Sequence, residues 1–529
     1  MPEVIVEPGG ASNMTERVRA ALDAVPDGGT LSFAPGTYHF YADGSKKTRL
    51  FPSNNTAGEK AVVFPVICRR NLVIDGKGAT FVMHGRVFPF AVSDSSGITI
   101  RNLTMNAYRP QIAEFVVTEK RDDGFLVRFS ENSRSYRVTA DGGMVFESDG
   151  VQTPTFDRRL SLHAVNHVQI HYLFAGDTSA SMERLATTFV RVDAKDIGGG
   201  EVFFRYRPCT HEKCVRCPFG IDDPIAINLA ENRDRMSFFF ENCRDVSVEN
   251  VTVNRGTGMG VVAQMCENVH VRALKVFPLP GDSCSLTADA MQMVNCAGSV
   301  LVEECEIANT LDDVLNVHGN YLSVEEVCGK SARIRAMHDQ HRGVFPFRPG
   351  DKIEFSVPKT REILGTARVE SLSRDPSDDY AAVLSTDVDL SRYPKGTLVE
   401  NVTLCPDVTV RNNRFHDFPR VIVSGRGRIV LEDNRFERFV AGFYSSDSSG
   451  YWYESGRLSD VTIRRNVFSG CNAMGGSTCI GVFLAGWAPG DPAAPKINGR
   501  VTLQDNVFKD VRHPKTRVVM TGVREFSEH

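Results

Sequence analysis

The sequence predicts an all-β protein, a parallel β-helix carrying two inserted small β-barrel domains, and three observations predict it. One alternating apolar phrase returns eight times along the chain. Several neighbouring copies start a little over twenty residues apart, with no helical pattern between them. Two gaps in this rhythm are too long for structureless loops and are themselves rich in strand-like runs.

The phrase is an apolar alternation, then a pair often drawn from Asn, Asp, Arg and Glu, then a second alternation. It reads ITIRNLTM from Ile98, VSVENVTV from Val246, VHVRALKV from Val269 and VLVEECEI from Val300. It continues as VTVRNNRF from Val408, IVLEDNRF from Ile429, VTIRRNVF from Val461 and VTLQDNVF from Val501. Val, Ile, Thr and Phe at period two argue for strands. Starts separated by 23, 31, 21, 32 and 40 residues make one coil a little over twenty residues, with loops of variable length. A short unit that returns in this way marks a stacked solenoid. Asn102, Asn250, Asn413, Asn434, Asn466 and Asn506 lie near the phrase ends. They suit turns there, because Asn tolerates left-handed backbone and can bond along a stack.

Ahead of the first phrase, Met14, Val18, Ala21, Leu22 and Val25 form a helical apolar stripe that stops before Pro26. A solenoid exposes the edge of its first coil, and this helix is the expected cover. With the coil NLVIDGKGATFVMHG, it assigns residues 1–112 to an N-terminal cap and first coils. The 148-residue interval from Ile98 to Val246 contains GFLVRFS, SYRVTA, GMVFES, HVQIHYLF, TFVRVD and EVFFRYR, which predict an antiparallel β-barrel over 113–210. Coils resume over 211–319. The 108-residue interval from Val300 to Val408 contains YLSVEEV, ARIRAM, DKIEFSV, TARVESL and YAAVLST, which predict a second barrel over 320–402. C-terminal coils occupy 403–529.

At 529 residues the chain exceeds what one core usually supports. Its 61 Lys and Arg stand against 65 Asp and Glu, so no basic surface is left to displace counterions from nucleic acid. No run of about 18 apolar residues suggests a membrane span. The start, MPEVIVEPGGASN, lacks the basic and apolar parts of a leader. A secreted or periplasmic protein with its leader removed is the expectation, with a cytosolic location as the alternative. Of thirteen cysteines, Cys305 reads as a small core residue. Cys209, Cys214 and Cys217 form the one tight cluster, with His211 as the local fourth ligand that zinc would need; a disulfide or plain loop thiols fit better.

Chemistry concentrates in the coils after Val246. DAMQMVNC from Asp289 stacks on DDVLNVHG from Asp312, 23 residues on. That places Asp289 and Asp312 in one column on adjacent rungs about 5 Å apart, with Asp313 beside them. Carboxylates so close disfavour joint ionisation, so at least one keeps its proton near neutral pH. The trio therefore supplies an acid and a base, the pair that cleaves a glycosidic bond. Asp-Asp also occurs at 122–123, 222–223 and 378–379, so the dipeptide alone says little. Placement singles out Asp312-Asp313: a strand, Asn309 and Thr310 precede it, His318-Gly319 follows, and Asp289 lies one coil earlier. Candidates for holding a sugar are His318, Arg255, Trp452, Asn54 and Asn55. Each has an ordinary structural alternative: a strand-end His, an Arg beyond reach, a loop plug, a turn. No nucleophilic Ser or Cys motif and no Gly-rich phosphate loop stands out.

The segments FPSNNTAGEK and VIDGKGA, and most specifically DAMQMVNC and NTLDDVLNVHG, resemble glycoside hydrolase family 110. These are exo-acting α-1,3-galactosidases that include blood-group-B-cleaving enzymes. The resemblance covers most of the chain. It implies a right-handed, pectin-lyase-like β-helix similar to that of polygalacturonases, with inserted barrels. It further implies hydrolysis of terminal α-1,3-linked galactose with inversion, without metal or other cofactor, and catalytic carboxylates on Asp289, Asp312 and Asp313. The partner implied is a galactose-terminated oligosaccharide or glycoconjugate, with a homodimer as an assembly option. Which Asp is the acid stays open, with a lean to Asp312 or Asp313 as base.

Two other readings stand beside it. One is a polygalacturonase-like hydrolase or a lyase, including a Ca²⁺-dependent one that uses the Asp trio; it would favour an open groove lined by Lys and Arg. The other is a non-catalytic carbohydrate-binding solenoid, which has no need of three crowded carboxylates.

Overall fold

The computed structural model describes every residue except 1, 110–111, 132, 134, 149–150, 154–158, 165–168, 176–187, 229–232, 257, 472–477 and 513–515. The eight phrases are rungs of one parallel ladder. Val246 pairs beside Ile98, Val269 beside Val246, Val300 beside Val269 and Val408 beside Val300. Ile429, Val461 and Val501 follow in the same register. Each phrase bends at one left-handed residue: Asn102, Asn250, Ala273, Glu304, Asn412, Asp433, Arg465 and Asp505 all have φ between 50° and 58°. The bend carries the chain from a first parallel sheet into a second. There Phe415, Phe436, Phe468 and Phe508 stack rung upon rung, and the last three rings lie nearly parallel at 4.7 and 5.3 Å.

The asparagines fall into two sets, which the sequence pattern had merged. Asn102 and Asn250 occupy the left-handed bend, and Asn250 Nδ2 donates to Asn102 Oδ1 at 2.9 Å. Asn413, Asn434, Asn466 and Asn506 sit one residue later. The first three are buried there, and successive side chains donate Nδ2 to the next Oδ1 at 2.9, 2.9 and 3.0 Å. In the earlier coils the same position holds Leu103, Val251, Leu274 and Cys305. A buried amide needs partners on both sides, so the asparagines come as an unbroken run; at its head, Cys305 N donates to Asn413 Oδ1 at 2.8 Å.

At the N-terminal end, helix Thr15–Ala24 follows Met14, and Met14, Val18, Leu22 and Val25 join Val6, Leu31 and Phe33 in the solenoid's core. The helix closes the end of the first coil. A third parallel sheet positions the site. Its strands are Phe88–Ser93, Met236–Glu241, Met259–Gln264, Met291–Val294 and Leu315–Asn320, continued by Val421–Val423 within Arg414–Val423, then by Arg435–Asp447 and Thr478–Leu484.

The first inserted barrel departs from expectation in three ways. Strand Pro224–Asn228 pairs with both Ala113–Arg121 and Arg159–Ala164 and closes it, so the barrel runs past residue 210. Its pairing is also not wholly antiparallel, because Gln169–Ala175 runs parallel to Phe189–Gly198. Ser135–Val138, Met144–Ser148 and Val151–Thr153 form a separate three-stranded sheet. The second barrel closes through six strands from Leu322–Cys328 to Leu398–Asn401, all antiparallel. All thirteen cysteines are free thiols. Among the described residues, Cys209, Cys214, Cys217 and His211 do not converge as a metal-ligand set. Burial and the neighbouring Cys209 push the Cys214 thiol up to about 12.

Candidate active site

Met291 pairs beside Leu315, and Ala290 N donates to Asp313 O at 2.8 Å. Asp289 is therefore level with Asp313, not with Asp312 as a 23-residue alignment gives. The inward side chains decide this: Met291 and Met293 stack on Leu315 and Val317 in the core, which sets a coil of 24 residues. Asp289, Asp312 and Asp313 still converge, with one carboxylate oxygen of each within 4.8 Å of the others. Asp289 and Asp313 are buried, and Asp312 is partly open to the cavity.

Two arginines face the trio. Arg420, on the next rung, donates Nε to Asp313 Oδ1 at 2.7 Å. Its Nη2 reaches Asp313 Oδ2 at 3.3 Å and Asp312 Oδ1 at 3.4 Å. Arg233 donates to Asp312 Oδ2 and, at 3.3 Å, to the carbonyl oxygen of Asn54. Among the described residues no guanidinium hydrogen-bonds Asp289. Burial first, then the Asp312 and Asp313 charges, raise the Asp289 carboxyl well above its ordinary value. Burial also raises Asp313, to about 7, with Arg420 opposing and Asp312 adding to the rise. The Asp313 and Asp312 charges hold the Arg420 cation firmly protonated against its own burial.

The trio floors a cavity of about 210 Å³. Its walls come from Asn54, Arg233, Asn316, Arg420, Ile422, Tyr444, Ser446, Ser448, Trp452 and Glu454. Sites for drug-sized ligands run to about 300–1,000 Å³, so this one suits a single small polar unit. Asn54, held in left-handed backbone at φ 58°, donates Nδ2 to Glu454 Oε1 at 2.8 Å and contacts His341 Nε2 through Oδ1 at 2.7 Å. The second barrel thus supports the wall through His341. Asn316 Oδ1 is buried with no partner among the described residues.

Of the residues expected to hold a sugar, Asn54 and Trp452 line the cavity, while His318, Arg255 and Asn55 do not. The His318 side chain is wholly buried and lies 3.6 Å from Glu454. Arg255 is consumed by Asp282, which takes Nε and Nη2 at 2.8 Å each. Asn55 turns inward, donating to Ser53 O at 2.9 Å. Arg233, Arg420, Glu454, Asn316, Tyr444, Ser446 and Ser448 were missed. Glu454 stands two residues past Trp452, in the same YWYESG stretch. The second barrel separates Arg420 from Asp313 by 107 residues, which hides its place one rung away.

Three converging carboxylates are also a possible ligand set for a divalent cation. Here Arg233 and Arg420 already place two fixed positive charges on them.

Fold and site together define a parallel β-helix with an acidic, arginine-braced pocket of sugar size. In sequence the chain is similar to "Alpha-1,3-galactosidase A" of Shewanella woodyi, 27% identical over 462 residues, covering 86% of this chain and 73% of that protein. It is 24% identical over 526 residues to "Alpha-1,3-galactosidase B" of Bacteroides thetaiotaomicron, covering 96% and 82%. To "Alpha-1,3-galactosidase A" of Streptomyces avermitilis it is 28% identical over 491 residues, covering 88% and 77%. No protein-family model matches. Among solved structures it is similar to a polygalacturonase from Erwinia carotovora ssp. carotovora, with TM-score 0.44 and 8% identity over 99% of this chain and 96% of that one.

Proposed function

We propose that this protein is an exo-acting glycoside hydrolase that releases terminal α-1,3-linked galactose with inversion. The observation that carries the reading is the Asp trio, braced by two arginines, on the floor of a cavity sized for one sugar. Galactosidase names among relatives that align along most of the chain support the choice of sugar. Asp289, raised by burial and accepting no guanidinium hydrogen bond among the described residues, is the acid that protonates the leaving oxygen. Asp312 and Asp313, oriented by Arg420 and Arg233, take the proton of the attacking water. The buried acceptor Asn316 Oδ1 and the carboxylate of Glu454 offer hydrogen bonds to ring hydroxyls. Both lining arginines are engaged by Asp, so neither is free for the carboxylate of a uronic acid. That favours a neutral sugar over polygalacturonate.

One observation favours a second stereochemical reading. Oxygens within 4.8 Å fall below the about 6.5–9.5 Å typical of inverting pairs and near the about 5–5.5 Å of retaining ones. Two experiments test the whole. Purified protein is offered p-nitrophenyl α-galactoside, linear α-1,3-galactobiose, the fucosylated blood-group-B trisaccharide and polygalacturonate. Free galactose is expected from the α-galactosides, and comparing the linear with the branched substrate sets the specificity; products from polygalacturonate alone would overturn the assignment. Proton NMR of the first-formed galactose should show the β-anomer, and α-galactose would replace inversion with a two-step route.

A further inference from the structure

We propose that Tyr451 is the platform for the second sugar of the substrate, so that the preferred leaving group is a pyranose ring; this rests on the galactosidase reading above. Tyr451 is 74% exposed, more than any other large apolar or aromatic side chain among the described residues. A lone exposed ring is ordinary. This one is fixed in place beside the pocket. Its centroid lies 5.2 Å from Trp452 and 4.9 Å from His338, at 83° and 77° to them. Trp452 lines the cavity, and the Arg233 guanidinium lies 5.3 Å from its ring centre. Arg233 in turn donates to Asp312. The succession Asp312, Arg233, Trp452, Tyr451 therefore leads from the carboxylates outward to solvent.

The loop that presents Tyr451 is tied at several points. Ser448 N donates to Glu454 O at 3.0 Å and Tyr453 N to Gly450 O at 3.0 Å. Ser449 Oγ donates to Pro358 O of the second barrel at 2.8 Å, and Tyr321 N to Tyr453 O at 2.9 Å. A ring held this way gives up little freedom on binding. The cavity has room for a single sugar, so the unit that follows it must emerge at the rim. The open Tyr451 ring stands there to receive the apolar C–H face of that unit.

The test separates the two sugars. α-Galactosyl fluoride fills only the pocket, whereas α-1,3-galactobiose also reaches the rim. Tyr451→Ala should lower kcat/KM for galactobiose about tenfold, as expected for one lost aromatic contact. Its turnover of galactosyl fluoride should match that of the unaltered protein, and Tyr451→Phe should restore galactobiose hydrolysis. Equal losses on both substrates would reduce Tyr451 to a structural role, and no loss on galactobiose would remove it from the substrate path. If the unaltered protein releases galactose from neither of these nor from the branched trisaccharide, the galactosidase reading itself falls; if it releases galactose while Tyr451→Ala changes nothing, only the platform does.

Discussion

Asp289 and Asp313 are level with each other on adjacent rungs, yet among the described residues only Asp313 of the two accepts a hydrogen bond from a guanidinium. On the proposed mechanism, that asymmetry separates two otherwise similar carboxyls into acid and base. General acid–base steps contribute about 10²–10⁴-fold, so Asp312→Asn and Asp313→Asn should each cost turnover of that order with the circular dichroism spectrum unchanged. Near-normal rates in either would remove that residue from the mechanism. Asp289→Asn should abolish galactobiose hydrolysis but keep much of the turnover of galactosyl fluoride, whose leaving group needs no proton. Equal loss on both would deny it the acid role. Stability carries a second signature. Burial pushes the Asp313 carboxyl up to about 7 in the folded chain, above its ordinary value of 3.8. The folded state therefore holds that proton more tightly than the unfolded one. The stabilisation is complete below the ordinary value and is lost as pH rises through about 7. Between pH 5 and 8, Asp313→Asn should gain melting temperature relative to the unaltered protein; a constant difference would mean that Asp313 does not titrate there. The trio was legible because carboxyl residues recur at coil spacing. Its register was misread by one residue, because DAM and DDV look alike while the inward side chains that fix the rung are Met291 and Leu315.

At the scale of the coil, one position carries two solutions to the same problem. Leu103, Val251 and Leu274 fill the corner after the left-handed bend with hydrocarbon, and Asn413, Asn434 and Asn466 fill it with amides. Asn434 donates to Val410 O at 2.8 Å and Asn466 Oδ1 at 2.9 Å, and accepts from Asn413 N and Nδ2 at 3.0 and 2.9 Å. Asn434→Leu would strand the Asn413 backbone N–H and cost Asn413 Nδ2 one of its two acceptors, while Asn466 Oδ1 would keep only the Asn434 backbone N–H. Each such buried orphan costs about 1–3 kcal/mol, so the variant should unfold at clearly lower urea concentration; an unchanged midpoint would show that the ladder adds nothing to stability. The sequence displayed the asparagines but not their two registers, since Asn102 and Asn413 occupy the phrase one residue apart. The left-handed position itself is held by Ala273, Glu304 and Arg465 as well as by Asn. Residue type therefore could not mark it; only the stacked rungs do.

Across the whole molecule, the two long gaps announced insertions, but a count of strands cannot say what an insertion does. The second barrel helps to build the pocket. It reaches the wall through His341 and Asn54, and places His338 4.4 Å from Trp452. It is anchored by a fully buried ion pair: Arg361 Nε donates to Asp447 Oδ1 at 2.8 Å and Nη2 to Asp447 O at 3.2 Å. Tyr321 Oη donates to the same carboxylate at 3.0 Å. Asp447 ends the strand that carries Tyr444 and Ser446 into the cavity, so the anchor and the pocket share one piece of backbone. Removing one member of a buried pair leaves the other charge uncompensated, at about 3–5 kcal/mol. Arg361→Met should therefore lower both melting temperature and galactosidase turnover, although Arg361 does not line the pocket. Adding Asp447→Asn to the same chain discharges the stranded carboxylate and should recover part of both. A melting temperature indifferent to Arg361→Met would mean that the barrel is held by its apolar contacts alone. Lost stability with full turnover would mean that the pocket keeps its shape without the anchor.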